Sequence, residues 1–526
     1  MPTLTIDEKK VTVDAGKTIL QAATANGVSI PHFCYHPHLS IDGCCRMCLV
    51  EVEKIPKLTI ACNTPVADGM VVRTNTEKVL KARKGVMEFQ LINHPLDCPI
   101  CDQAGECRLQ KYTFEHGITH SRFSEKKRPG RKRFKIGPRV VFDEERCILC
   151  RRCVRFCREV SKTDELAVFH RGDKSIINTY PGTSLDNKYS LNTVDICPVG
   201  ALTSADFRFK VRTWFLEETN SVCPGCSNNC NIRICHRRGK VYRILPRRNV
   251  DINNVWMCDE GRIAYKQIYT KDRLRYPLVK KANKLVEVSW NEAFQAVANG
   301  LSDMKDNQIA GIASPQATNE ECYLFGKLMK EVFNSKSIDL IVPTWEADDF
   351  LVKEEMAANP KGARELGLKS KGSSSVKEII KKLNKGTFKA AYIVGNDIYQ
   401  NSDSKEKILE ALSKLDFIVL QDTQLTELTT AADVVFPSST FAEKDGTFTN
   451  INGIVQKVNK VVPLPGKAKA DLEILGGVAE AMGKPFESLK SKEIMDEISK
   501  NIKSFKNVSY EKLGEEGIKL KLGKKK

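Results

Sequence analysis

The sequence predicts a multidomain protein in which α+β modules on the N-terminal side are followed by an α/β domain. Three observations lead there. The chain has 526 residues, too many for one hydrophobic core and enough for about three to five units of ordinary size. Every cysteine but Cys322 precedes residue 259. Beyond about residue 285, strand-like runs alternate with helical ones, as in a largely parallel sheet.

Thr3 to Ile6 and Val11 to Val13 read as two short strands around Asp7-Glu8-Lys9-Lys10, and Lys17 to Asn26 as a helix stopped by Gly27. A cysteine loop follows, with Cys34, Cys45, Cys48 and Cys62. Hairpin, helix and cysteine loop in this order resemble a plant-type (β-grasp) ferredoxin, where four thiolates hold a two-iron cluster. Cys45 is preferred to its neighbour Cys44 because it leaves a two-residue gap to Cys48. A structural zinc site favours a shorter first gap.

Apolar residues at Val79, Leu80, Val86, Met87, Leu91 and Ile92 predict an amphipathic helix over Thr76 to Asn93 that ends at His94 and Pro95. Cys98, Cys101 and Cys107 then form a triplet without a fourth thiolate, and His94 is the candidate for the missing ligand. A neutral imidazole carries one negative charge less than a thiolate and alters the redox potential of what it binds.

Cys147, Cys150, Cys153 and Cys157 have the spacing of a bacterial ferredoxin, in which the fourth cysteine serves a second cluster. Counting back from Cys197-Pro198 by the same spacing lands on Thr193, Ser190 and Asn187, none of them a thiolate donor. One cluster is therefore expected on Cys147, Cys150, Cys153 and Cys197, with Cys157 unliganded. Cys223, Cys226, Cys230 and Cys258 form the last set, in a small sheet-based module with a strand near Lys240 to Leu245. Cys44, Cys157, Cys235 and Cys322 are left over.

In the C-terminal half the expected strands are Gln308 to Ala313, Ser337 to Val342, Phe388 to Val394 and Phe417 to Leu420. Thr318 and Glu321 form a capping box for a helix through Phe333, and Leu368 to Ser375 reads as a flexible loop. Gly395, Gly446 and Gly453 follow strand-like segments, where glycines approach a nucleotide-like ligand or, more often, shape turns.

The opening MPTLTIDEKK lacks the apolar core of a signal peptide, and no run approaches the ~18 uncharged apolar residues of a membrane helix. A cytoplasmic, reducing setting is expected, since the cysteines follow metal-binding rather than disulfide spacings. The formal charge of +18 falls to about +11 once four anionic clusters are counted. The basic run KKRPGRKRFK, Lys126 to Lys135, lies between two cysteine modules. There it fits an acidic neighbouring subunit or the anionic clusters better than nucleic acid.

CYHPHLSIDGCCRMCLVEV, NHPLDCPICDQAGECRLQ, RCILCRRCVRFCREV, DICPVGALT, WMCDEGR and FAEKDGTFTN together resemble the large iron–sulfur subunit family of respiratory complex I, the NADH:quinone oxidoreductase. The resemblance implies one 2Fe-2S cluster on the first set and three 4Fe-4S clusters on the others, the second with a histidine ligand. It implies electrons arriving from a flavin-bearing NADH-oxidising subunit, passing the first, third and second sets, and leaving through a ferredoxin-like subunit toward quinone. Other peripheral-arm subunits are further partners, on the cytoplasmic side of the bacterial inner membrane, with no membrane span and no nucleic acid.

The C-terminal domain resembles a shortened molybdopterin oxidoreductase. No molybdopterin is expected, because Asp259-Glu260-Gly261-Arg262 follows the last cluster cysteine where a pterin-bridging lysine is usual. The implied domains are 1–78, 79–120, 138–210, 216–272 and 280–526, with no catalytic site of the chain's own. The alternative is the iron–sulfur subunit of a soluble formate dehydrogenase or hydrogenase complex, against which the residues at 187, 190 and 193 speak.

Overall fold

The computed structural model describes residues 1–368, 376–400 and 404–521. They form two compact units, Met1–Leu216 and Glu217–Lys526.

The first unit opens with β1 (Thr3–Ile6) and β2 (Lys9–Thr12). The return strand starts two residues earlier than the sequence pattern suggests. Asp7 and Glu8 both take positive φ, 46° and 72°, so a two-residue turn suffices and Lys9 and Lys10 form the solvent-facing start of β2. Helix α1 (Ile19–Ala25) is held by a reciprocal capping box between Thr18 and Gln21. With β3 (Leu49–Val52), β4 (Thr59–Ile60) and β5 (Val71–Arg73) the strands make one sheet in the order β2-β1-β5-β3-β4. Its core includes Leu4, Ile6, Ile19, Leu20, Val50 and Val72.

Helix α2 (Glu77–Leu91) starts at the Thr76 cap, but its buried stripe is Val79, Arg83 and Met87, and Leu80 faces solvent. Arg83 is buried and its Nη2 donates to the Leu49 carbonyl at 2.9 Å, so a charged residue joins the buried stripe. Helix α3 (Arg108–His116) follows. Three of the seven basic side chains in Lys126 to Lys135 have partners within the chain. Lys127 Nζ donates to the Leu91 and Ile92 carbonyls at the end of α2, Arg131 pairs with Glu144, and Lys132 pairs with Glu145. Strands β6 (Phe134–Lys135) and β7 (Val140–Phe142), helix α4 (Arg152–Glu159), the hairpin β8 (Leu166–Phe169) and β9 (Ile176–Thr179), helix α5 (Asn192–Ile196) and β10 (Leu202–Ser204) complete the unit. β10 and β6 flank β7.

The second unit begins with an antiparallel sheet of β11 (Glu217–Val222), β12 (Asn231–Arg237) and β13 (Lys240–Pro246), followed by helix α6 (Asp259–Ile263). Its large sheet uses β14 (Leu278–Lys281), β15 (Lys284–Glu287), β16 (Ile309–Ala313), β17 (Ile338–Leu340), β18 (Ala390–Val394), β19 (Phe417–Asp422) and β20 (Val434–Pro437), in the order β15-β14-β20-β19-β18-β16-β17. The last five in that order are parallel to their neighbours, and β14 and β15 form an antiparallel edge. Side chains alternate between two cores, with Tyr392, Val419, Val434 and Phe436 in one and Ala391, Ile393, Ile418, Leu420 and Val435 in the other.

The Thr318–Glu321 capping box starts a helix over Asn319–Lys327, which continues as a π turn over Leu328–Val332. Of the loop expected over Leu368 to Ser375, only Leu368 lies within the described residues. β21 (Gly446–Thr449), β22 (Ile454–Val458) and β23 (Ile518–Lys519) form a separate antiparallel sheet. No described helix is long and apolar enough to cross a membrane.

Candidate metal centres

The sulfurs of the first set converge beneath the five-stranded sheet's loops, and Cys34, Cys45, Cys48 and Cys62 are all buried. Cys45 Sγ accepts the backbone N–H groups of Phe33 and Cys34, both at 3.4 Å, which only partly offset the neighbouring Cys34 and the burial that raise its thiol pKa. The thiols of Cys44, Cys45 and Cys62 lie within hydrogen-bonding reach of Cys34 and hold its pKa far below the ordinary thiol range. Cys44 therefore also borders this centre. Its other contact separates it from Cys45: its Sγ is 3.8 Å from the Leu149 carbonyl, inside the loop of the third set.

His94 is buried, and its Nδ1 has no hydrogen-bond partner. Burial lowers its pKa to about 4 despite the nearby carboxylate of Asp97, leaving a neutral imidazole with a free donor atom, the form that binds metal. Asp97 is clamped by Arg146 through two hydrogen bonds of 3.0 and 2.6 Å. The adjoining turn Cys98–Ile100 brings Cys101 to the interior, and Cys107 caps α3.

Cys147, Cys150, Cys153 and Cys197 line one cavity with Phe142, Ile148, Ile177, Val199 and Leu202. Burial raises all four thiol pKa values, that of Cys150 to about 11. Metal coordination would drive such thiols to the thiolate form. Cys157 is buried on α4, and burial pushes it to about 12. Where a second ferredoxin set would lie, polar groups bond to one another instead. Asn187 donates to Glu165, and Thr193 Oγ1 donates to the Ser190 carbonyl at 2.7 Å.

In the second unit, Cys223 N–H donates to the Cys230 carbonyl at 2.9 Å, and Asn228 Nδ2 donates to Cys230 Sγ at 3.2 Å. Gly261 N–H reaches Cys258 Sγ at 3.4 Å. A Cβ on Gly261 would lie 2.8 Å from Cys223 Sγ, so only glycine admits both sulfurs here.

Each set also has a non-glycine residue held at positive φ: Arg46 in the first, Leu96 in the second, Leu149 and Arg151 in the third, and Asn229 in the fourth. Left-handed backbone at arginine and leucine is strained and persists where the surroundings impose it. Sequence reasoning misses these residues, since arginine and leucine carry no turn signal. Among the described residues, no three His, Cys, Asp or Glu side chains are grouped to hold a single metal ion. Iron–sulfur ligands, by contrast, are shared out over two or four irons. The unpartnered His94 nitrogen, the thiol-lined cavity and the glycine cradle fit such clusters.

The first three sets touch one another: beside Cys34, Phe33 packs edge-on against Tyr112 of α3 at 5.2 Å, which joins the first set to the second. Arg155 Nη2 donates to the carbonyls of Cys34 and Cys150, joining the first and third sets. Cys107 Sγ lies 3.8 Å from the Pro198 carbonyl, and a Cβ on Gly200 would lie 2.3 Å from Cys101 Sγ. The third set thus abuts the second directly after Cys197.

The large sheet carries a polar pocket at the carboxyl ends of its parallel strands, lined by Ser314, Gly395, Asp397, Asp422, Ser439, Lys444 and Asp471 among others. Gly395, with φ +74°, belongs to it, whereas Gly446 packs on Thr318 and Gly453 turns a hairpin. Among the described residues of its lining Lys444 is the one cation, and it is already bound to Glu321 at 2.8 Å and Asp471 at 3.4 Å. Among those residues a phosphate-bearing pterin would meet three aspartates and no free cation, so the described lining does not fit that group.

Family comparisons agree with this layout. Residues 1–77 match a 2Fe-2S iron–sulfur cluster binding domain, 83–122 the NADH-ubiquinone oxidoreductase-G iron–sulfur binding region, and 137–203 the ferredoxin-like domain of NADH-quinone oxidoreductase subunit 3. Residues 217–266 match an NADH-ubiquinone oxidoreductase NDSU1/NuoG-like 4Fe-4S domain, and 273–340 with 353–481 match molybdopterin oxidoreductase. The NADH-quinone oxidoreductase-G protein of Rickettsia bellii is 32% identical over 96% of this chain and 90% of its own. The mitochondrial NADH-ubiquinone oxidoreductase 78 kDa subunit of Neurospora crassa is 33% identical over 91% and 80%. A chain in the crystal structure of an NAD+-reducing [NiFe]-hydrogenase in the H2-reduced state is 31% identical, covering 40% of this chain and 91% of its own, with a TM-score of 0.37. With relatives above 30% identity over most of their length and matching iron–sulfur domains, the chain belongs to the NADH-quinone oxidoreductase-G family, the large iron–sulfur subunits of complex I.

Proposed function

We propose that this chain is the electron-carrying iron–sulfur subunit of an NADH:quinone oxidoreductase, with one 2Fe-2S cluster on Cys34, Cys45, Cys48 and Cys62. Three 4Fe-4S clusters would lie on His94, Cys98, Cys101 and Cys107, on Cys147, Cys150, Cys153 and Cys197, and on Cys223, Cys226, Cys230 and Cys258. When bound, the clusters supply one-electron redox steps; the chain's residues hold, space and desolvate them. The observation that carries the reading is the mutual contact of the first three sets, first to third through Arg155, third to second through Pro198 and Gly200, and first to second through Phe33 and Tyr112.

Electrons would enter from a flavin-bearing NADH-oxidising subunit and leave through a ferredoxin-like subunit of the same peripheral arm, on the cytoplasmic face of the membrane. The chain would have no catalytic site of its own, and the acid-lined pocket supports the absence of molybdopterin. The fourth set lies in the other unit, and we assign it no step in the route.

The test is rapid freezing of the complex after mixing with NADH, followed by paramagnetic resonance. The first-set signal should appear before the third, and the third before the second. A second-set signal preceding that of the third would refute the route.

A further inference from the structure

Arg155, on α4, reaches with one guanidinium the carbonyls of two ligand cysteines belonging to different sets. Nη2 donates to Cys34 O at 2.6 Å and to Cys150 O at 3.2 Å. Nη1 donates to the Ser40 carbonyl, and Nε to the Arg151 carbonyl at 3.3 Å. Each ligand loop therefore gives two carbonyls to one planar fork. Its side chain is 11% exposed, and Asp42 is its nearby counter-charge, at 3.9 Å. Its neighbour Arg152 makes a parallel bracket one residue away from the ligands, donating to the carbonyls of Tyr35 and Ile196.

A guanidinium presents its donors in a fixed plane, so four carbonyls at its rim are fixed relative to one another. A lysine has a point charge and three donors, and cannot span the same four. The charge matters as well as the shape. A desolvated cation between two ligand loops stabilises added negative charge on either side, because little water screens it.

We propose that Arg155 is the positioning residue for electron transfer between the first and third ligand sets: it sets their spacing, and its charge raises both reduction potentials. The inference rests on the function proposed above. The step it serves moves one electron and no proton; the first-set cluster is oxidised by one electron and the third-set cluster reduced by one.

The experiment uses the assembled complex carrying the full chain as wild type, Arg155→Met and Arg155→Lys. Iron content and paramagnetic resonance first establish that both clusters are present. Equilibrium redox titration then gives their potentials, and rapid freezing after NADH gives the transfer rate. In Arg155→Met both potentials should shift to more negative values, and the third-set signal should lag the first by more than in wild type, because a wider gap between the two sets slows transfer. Arg155→Lys should recover the potentials but not the rate, a split that loosened packing alone would not produce.

Unchanged potentials with an unchanged rate in Arg155→Met would overturn the proposal. If that variant loses a cluster, Arg155→Lys decides: slowed transfer at near wild-type potentials upholds the proposal, and wild-type transfer overturns it. Absence of first-set or third-set signals in the wild-type complex would instead sink the proposed function.

Discussion

Met1–Leu216 and Glu217–Lys526 solve the problem of holding a fold together in opposite ways. In the first unit the β-grasp sheet has its own apolar core, but the stretch from His94 to Cys197 has short strands and strained left-handed residues. Its interior polar groups include, besides cysteines, His94, Asp143, Arg146, Arg152 and Asn192. In the second unit a seven-stranded sheet separates two apolar layers, and its buried polar groups are mostly carboxylates, amides and hydroxyls. On the proposed function, the difference separates a region where bound metal would be part of the fold from one where it would not. Loops that crowd thiols together would gain their stability from coordination, whereas the sheet gains its stability from apolar burial.

Removing iron tests that contrast most severely. Chelation under reducing conditions should abolish hydrogen-exchange protection around Cys147 to Cys197, while β16, β18 and β19 stay protected. Equal loss in both places would break the distinction. Next in size, Cys197→Ser should remove one four-iron signal, whereas Cys157→Ser should leave every cluster assembled. Loss of a four-iron signal from Cys157→Ser would show that Cys197 is not the fourth ligand.

A smaller effect is expected from the other unit. Phe436 is fully buried and stacks on Trp290 at 5.6 Å, so Phe436→Ala should cost about 3 to 5 kcal/mol. Denaturant melts would show this while the first three cluster signals stay unchanged. The smallest effect is a pH dependence. Burial raises Asp422 from 3.8 to about 7, and its Oδ2 has no partner. A raised carboxyl stabilises the fold fully below its unfolded pKa, and that contribution is lost as pH rises toward about 7. Asp422→Asn should flatten the decline in stability between about pH 4 and 7; an unchanged slope would remove Asp422 as its source.

The ligand sets were legible because cluster chemistry needs thiolates at short spacings, and spacing survives in one dimension. The parallel strands from Ile309 to Asp422 were legible as apolar runs, and the Thr318–Glu321 cap by its motif. Lys9 and Lys10 concealed the start of β2 because an edge strand tolerates charge on its open face. The burial of Arg83 was not legible because its partner, Leu49, is 34 positions away. Gly261, Arg155 and the left-handed loop residues were hidden for the same reason: their roles depend on atoms distant in sequence. The basic run between the modules looked like a docking surface, yet Arg131 and Lys132 meet Glu144 and Glu145 of the same chain.

The most direct test of the four-centre reading is metal analysis of the purified chain or its complex, with paramagnetic resonance on the same sample. The account predicts about fourteen irons per chain, distributed as one two-iron and three four-iron clusters, with no stoichiometric molybdenum. Stoichiometric zinc without iron would contradict it.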